Sequence, residues 1–205
     1  MDLSNPLASL LPINDSLVIR VLARLESPAT GRQVHKLAGE ASYSGIRLSL
    51  GRLTKTGLLT ARRLDHAILY SVNREHLLWG PVEDIIDSRA KLVRMIRTAL
   101  NLPGASVSVS FYGSVAREDS TASSDIDIAL VYDDTAQRLE LKESVDSLSE
   151  KVETWTGNAC QVYDVTRDEL RSMVRAEDPI VASWKGEAVT FIGPNLQALI
   201  GLARG

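Results

Sequence analysis

The chain carries one cysteine, Cys160, in 205 residues, so it can build neither an internal disulfide nor a multi-cysteine zinc site. Long apolar runs are missing too. Stretches such as Ile128-Ala129-Leu130-Val131 fall far short of the roughly 20 residues a membrane helix needs. The opening Met1-Asp2-Leu3-Ser4 offers neither the cationic nor the apolar segment of a secretory leader. No internal repeat or low-complexity tract interrupts the chain, and His35, His66 and His76 are too scattered for a metal site. These absences predict a cytoplasmic protein of one or two globular domains with no membrane partner, in which a lone thiol suits a reducing compartment.

What is present is unevenly distributed. Residues 1–80 hold ten Lys/Arg against six Asp/Glu, a balance of +4, whereas residues 81–205 hold 13 against 20, a balance of −7. A basic front and an acidic back predict two modules with different partners, domains 1–80 and 81–205.

In the front module, Asn14 and Asp15 are placed to cap a helix whose apolar face runs through Leu17, Val18, Val21, Leu22 and Leu25, ended by Ser27-Pro28. Thr30 caps a second helix through Val34, Leu37 and Ala38, stopped by Gly39. Ser42 or Ser44 opens a third, with Ile46, Leu48, Leu50 and Leu53, closed by Gly57. Two runs of strand character follow, 58–63 and 67–72, joined by Leu64-Asp65-His66.

This order, with the passage Leu53-Thr54-Lys55-Thr56-Gly57-Leu58-Leu59, resembles a bacterial winged helix-turn-helix over about residues 12–76. The resemblance implies that the third helix faces a major groove with Ser42, Tyr43, Ser44, Arg47, Ser49 and Arg52, and Lys55 at its end, while the hairpin adds Arg62, Arg63 and His66. Three uses stay open: DNA contact, RNA positioning, or a structural and dimerising role with a protein partner.

From Pro81, the residues Val82, Ile85, Ile86, Ala90, Val93, Ile96 and Leu100 predict one long helix to Leu102-Pro103-Gly104, joining the modules. Its acids come early and its bases late, which suits the helix dipole.

Chemistry concentrates beyond it. Val107–Tyr112 alternates as a strand and runs into Gly113-Ser114; after ten further residues comes Asp125-Ile126-Asp127, leading a second strand to Tyr132. Residues two apart on a strand share a face, so Asp125 and Asp127 set two carboxylates side by side, a natural holder for Mg²⁺. Glycine permits close approach of backbone to phosphate, and the serine hydroxyl can bond phosphate oxygens.

The string 111–131, FYGSVAREDSTASSDIDIALV, resembles the signature of the DNA polymerase beta-like nucleotidyltransferase superfamily, especially its minimal, antibiotic-modifying and toxin-antitoxin branches, and the likeness extends over about residues 82–203. It implies that Gly113 and Ser114 hold a nucleoside triphosphate, that Asp125 and Asp127 are catalytic and bind Mg²⁺ or Mn²⁺, and that Arg117 and Ser124 belong to the same nucleotide site. Asp178-Pro179-Ile180 to Gly186-Glu187-Ala188-Val189 looks like the family's closing helix and short strand. The implied fold class is α+β, a winged helix-turn-helix followed by a mixed-sheet nucleotidyltransferase domain.

The family adds a third carboxylate from the next strand. Here that strand, 159–165, follows an amphipathic helix from about Ala136 to Trp155 and offers Gln161 at the corresponding place; an amide can bind metal but cannot act as a base. Asp164, an odd offset away, belongs to the opposite face, as a strand-end or helix-capping residue. Cys160 points away from Gln161 into the core. Two functions follow as expectations: transfer of a nucleoside monophosphate to a hydroxyl acceptor, in a regulatory or defence setting, or a DNA-binding regulator whose degenerate transferase domain senses nucleotide.

Overall fold

The computed structural model describes residues 1–39, 41–102 and 106–203, and the chain divides into two compact units: Ser4–Ser88 with Asp2, and Arg89–Gly205 with Met1 and Leu3. The division falls at 88/89 instead of 80/81 because Trp79 is buried in the first unit's core and Val82, Ile85 and Ile86 pack on that core.

In the first unit, a turn of 3-10 helix at Pro6–Ser9 precedes α1 (Ile13–Arg24), which buries Val18, Ile19, Val21 and Leu22. Its N-cap is Pro12 and no side chain caps it; Asn14 and Asp15, expected as caps, lie inside the first turn, with Asp15 buried. β1 (Ala29–Thr30) leads into α2 (Gly31–Ala38), capped reciprocally by Thr30 and Gln33, and Gly39 at φ 81° ends it. α3 (Tyr43–Lys55) is capped by Ser42, whose Oγ accepts from the Gly45 N–H. β2 (Leu59–Leu64) and β3 (Ala67–Val72) form a hairpin whose register, Leu64 opposite Ala67, leaves Asp65-His66 as a two-residue turn with Asp65 at φ 47°. The antiparallel sheet has order β1-β3-β2. β1, only two residues long, was too short to leave a periodic signal.

The single helix expected from Pro81 is two, α4 (Trp79–Ile86) and α5 (Ser88–Leu100), separated at Asp87. Ser88 Oγ donates to the Ile85 carbonyl at 2.7 Å, competing with the regular helix ladder. The Pro103-Gly104 stop lies outside the described residues.

The second unit contains β4 (Ser108–Tyr112), α6 (Gly113–Arg117), β5 (Ile126–Tyr132), α7 (Thr135–Asp146), α8 (Leu148–Thr156), β6 (Cys160–Thr166), α9 (Arg167–Arg175), α10 (Pro179–Glu187), β7 (Val189–Ile192) and α11 (Leu196–Leu202). The expected helix 136–155 is thus divided at Ser147, whose hydroxyl donates to the Ser144 carbonyl. The sheet order is β6-β5-β4-β7, with β5 and β6 parallel and the other pairs antiparallel. It is a mixed α+β architecture.

Both faces of this sheet are covered. Val109, Phe111, Ile126, Ile128, Leu130 and Cys160 pack with Leu92, Ile96 and Leu100 of α5 and Leu148 and Val152 of α8. On the other face, Ala129, Val131 and Val165 pack with Leu170 of α9, Val181 and Trp184 of α10 and Leu196 and Ile200 of α11. β5 is therefore apolar almost throughout, and only its first turn of chain, around Asp127, is left to polar chemistry. Among the described residues no helix is long and apolar enough to cross a membrane.

Candidate functional site

The site forms where β4 stops and β5 starts. Tyr112 and Asp127 are register partners, so the residue after Tyr112 must turn away directly over Asp127. Gly113 does so at φ +66°, and a Cβ on it would stand 2.6 Å from Asp127 Oδ2. Only glycine meets both demands, the left-handed backbone and the close approach.

Asp127 is half-buried inside β5, and Asp125 is exposed just before the strand. Burial raises the Asp127 carboxyl above its usual value; the neighbouring Asp125 and Glu187 raise it further, and Arg117 partly offsets them. Tyr112 is pushed up to about 12 by burial and by Asp127. Gln161 lies opposite Asp127 across the parallel β5/β6 pair and is exposed. Tyr112 and Tyr163 stand edge-on to the fully buried Trp184 of the core beneath, at 6.0 and 5.4 Å.

Arg117 is brought to the same place but is already engaged: Nε donates to Asp119 at 3.1 Å and Nη1 to Glu187. Glu187, expected only as part of the closing helix-and-strand pattern and not as a site residue, also accepts from the Gly113 N–H at 3.1 Å and from the Ser183 hydroxyl. Its carboxyl is held below the usual range, first by the Ser183 hydroxyl, then by Arg117 and the Gly113 amide. Ser114 is half-buried beside Gly113. Ser124 sits in the turn before Asp125, where its Oγ accepts from the Thr121 N–H at 2.9 Å and its carbonyl from the Asn158 amide, so its hydroxyl serves the loop.

Asp164 lies off this face, as its odd offset requires. It pairs with Arg138 at 2.8 Å, while the cap of α9 is made by Thr166 and Glu169, so a capping role for Asp164 is corrected. Cys160 is buried among the opposite core residues, and burial pushes its thiol up to about 12.

Among the described residues no three His, Cys, Asp or Glu side chains converge as a metal cluster. The residues that could hold a divalent cation are Asp125, Asp127 and the Gln161 amide oxygen. Oxygen donors and a carboxylate whose charge is poorly compensated fit a hard ion that keeps part of its water shell.

In the first unit, Ser42, Tyr43, Ser44, Arg47 and Lys55 are exposed on α3, and Arg62, Arg63 and His66 on the hairpin. One member of the expected contact face is corrected, and a second, though exposed, is engaged within the unit. Ser49 is buried, and Arg52 pairs with the buried Asp15 carboxylate from α1. Leu48, expected inside, is 72% exposed, because the buried spacing on α3 is Ile46, Leu50 and Leu53.

Residues 82–162 match the family model described as putative nucleotidyltransferase DUF294, which supports a nucleotidyltransferase fold for the second unit. No curated protein matches the sequence. A solved toxin-antitoxin structure with AMP-PNP is similar over 58% of this chain and 82% of its own, at 19% identity and a TM-score of 0.35.

Proposed function

We propose that the second unit is a divalent-metal-dependent nucleotidyltransferase that moves a nucleoside monophosphate from a nucleoside triphosphate to a hydroxyl acceptor. The observation that carries this reading is the packing of Gly113 on Asp127. A backbone amide able to approach phosphate thereby stands beside Asp127 at the start of β5, with Asp125 just before the strand. Gly113 N–H, the Ser114 hydroxyl and Arg117 are the donors that would orient the triphosphate. Mg²⁺ or Mn²⁺ held by Asp125 and Asp127 would neutralise charge on the phosphates as pyrophosphate leaves. Gln161 cannot take a proton, so the acceptor hydroxyl gives its proton to solvent or to a base on the acceptor's side.

The first unit fits a winged helix-turn-helix that keeps this chemistry near nucleic acid, DNA or RNA. What supports it is the order of three helices and an antiparallel hairpin with Tyr43, Arg47, Lys55, Arg62 and Arg63 exposed. Phosphate contacts by these cations would show as a steep loss of affinity with salt.

The deciding experiment supplies each labelled nucleoside triphosphate with Mg²⁺ and cellular RNA and protein. Wild-type chain labels an acceptor and releases pyrophosphate, and Asp127→Asn does neither. Transfer by Asp127→Asn at the wild-type rate would overturn the site. A second reading, a nucleotide-sensing regulator without turnover, draws on Gln161 in place of an acid; it predicts metal-dependent nucleotide binding with no pyrophosphate.

A further inference from the structure

Glu187 ends α10, and its carboxylate gathers the Gly113 backbone N–H and the Arg117 guanidinium from 74 and 70 positions away and the Ser183 hydroxyl from one turn earlier on its own helix. An amide, a guanidinium and a hydroxyl converging on one anion form the donor set a phosphate group takes. Two of the three, Gly113 and Arg117, are donors that the proposed triphosphate site needs for itself. A cavity of about 610 Å³ opens at this point, lined by Ala116, Arg117, Ala182, Ser183, Gly186 and Glu187.

We infer that Glu187 is an internal stand-in for phosphate: it fills the cradle in the free chain, and a nucleoside triphosphate binds by displacing it. The inference rests on the transfer reading above. On displacement Arg117 stays aimed, because Asp119 holds its Nε, and Ser183 turns its hydroxyl from Glu187 to a phosphate oxygen. The consequence is selectivity. A group with the charge of a triphosphate can expel the carboxylate, whereas a monophosphate competes poorly.

Glu187 as the missing third acid is a different idea, and the geometry disfavours it. Oε1 already accepts from Gly113 and Ser183 and Oε2 from the Arg117 guanidinium, so a base acting here would have to work from the one remaining lone pair of Oε2 while bonded to a cation, which weakens its basicity.

Inorganic tripolyphosphate is the probe, titrated calorimetrically into the full wild-type chain, Glu187→Gln and Glu187→Ala. If the closed arrangement holds about nine-tenths of the molecules, removing it tightens apparent binding about tenfold. Glu187→Ala should show that gain and Glu187→Gln, which keeps an acceptor for Gly113, a smaller one. Equal or weaker binding by both variants, or no binding by any chain, overturns the inference; if Glu187→Ala does not fold, Glu187→Gln decides. With a nucleoside triphosphate, displacement predicts that KM falls more than kcat changes, whereas a general acid or base predicts a collapse of kcat. Tighter tripolyphosphate binding with no pyrophosphate released by any chain would leave the cradle standing and overturn the transfer reading alone.

Discussion

Gly113 and Asp127 are matched to one another: the glycine turns at φ +66° in the only space the carboxylate leaves, and a methyl group there would meet Oδ2 at 2.6 Å. Gly113→Ala therefore suffers twice, from the left-handed backbone and from the collision, and should lose about 1–3 kcal/mol of stability along with nucleotide transfer. Asp127→Ala removes the collision but not the backbone penalty. The double variant should accordingly be more stable than the sum of the two single effects implies, a coupling that a thermal or urea denaturation cycle measures. Strict additivity would mean that the two residues do not press on each other.

Arg52, expected on the nucleic-acid face, also holds a buried carboxylate. Its guanidinium is half exposed, but its partner Asp15 has a side chain only 3% exposed. Arg52→Ala would strand a buried carboxylate and should destabilise the chain by about 1–3 kcal/mol, discounted for the exposed half of the pair. Arg47→Ala, at an exposed position of α3, should leave the melting temperature unchanged while weakening nucleic-acid retention and its salt slope. Equal melting temperatures for the two variants would contradict the division of roles.

These residues also show how far the sequence could be read. The two strands around Gly113-Ser114 and Asp127 follow from alternation, a local signal, and their pairing has Tyr112 opposite Asp127 and Gln161 opposite Asp127 on the next strand; the roles expected of these residues come from the family resemblance. Glu187 meets Gly113 across 74 positions and Asp15 meets Arg52 between two helices, contacts that no periodicity encodes. The same holds for the breaks at Asp87 and Ser147. Apolar spacing runs through both, and at each break a serine hydroxyl, Ser88 or Ser147, bonds the carbonyl three residues back, a local choice that apolar spacing does not encode.

Glu169 supplies a pH-dependent part of the second unit's stability. Its carboxylate accepts from the Thr166 N–H at 2.7 Å and pairs with Arg138, and these hold its pKa below the usual glutamate value. For a carboxyl lowered by folding, the stabilisation is complete above the ordinary glutamate value and disappears as pH falls through the folded one. Glu169→Gln keeps the capping geometry and loses the charge. The wild-type advantage, under about 1 kcal/mol because half of the side chain is exposed, should be present near neutral pH and vanish in acid. Melting curves of both proteins across that range check it, and a difference that persists at low pH would point to the cap alone.

Gln161 is the position where added charge should reveal the metal site. It faces solvent opposite Asp127, so Gln161→Asp sets a further carboxylate beside the existing pair. Without divalent metal, the new repulsion is largely exposed to water and should lower stability by less than about 1 kcal/mol. With Mg²⁺ or Mn²⁺ the sign should reverse, because a ligand that binds only the folded chain raises its stability with every gain in affinity. The melting temperature of Gln161→Asp should thus respond to metal more steeply than that of wild type, and the response should disappear in the Asp127→Asn background. A metal response equal to wild type would remove Gln161 from the site and leave the cation, if bound, to Asp125 and Asp127 alone.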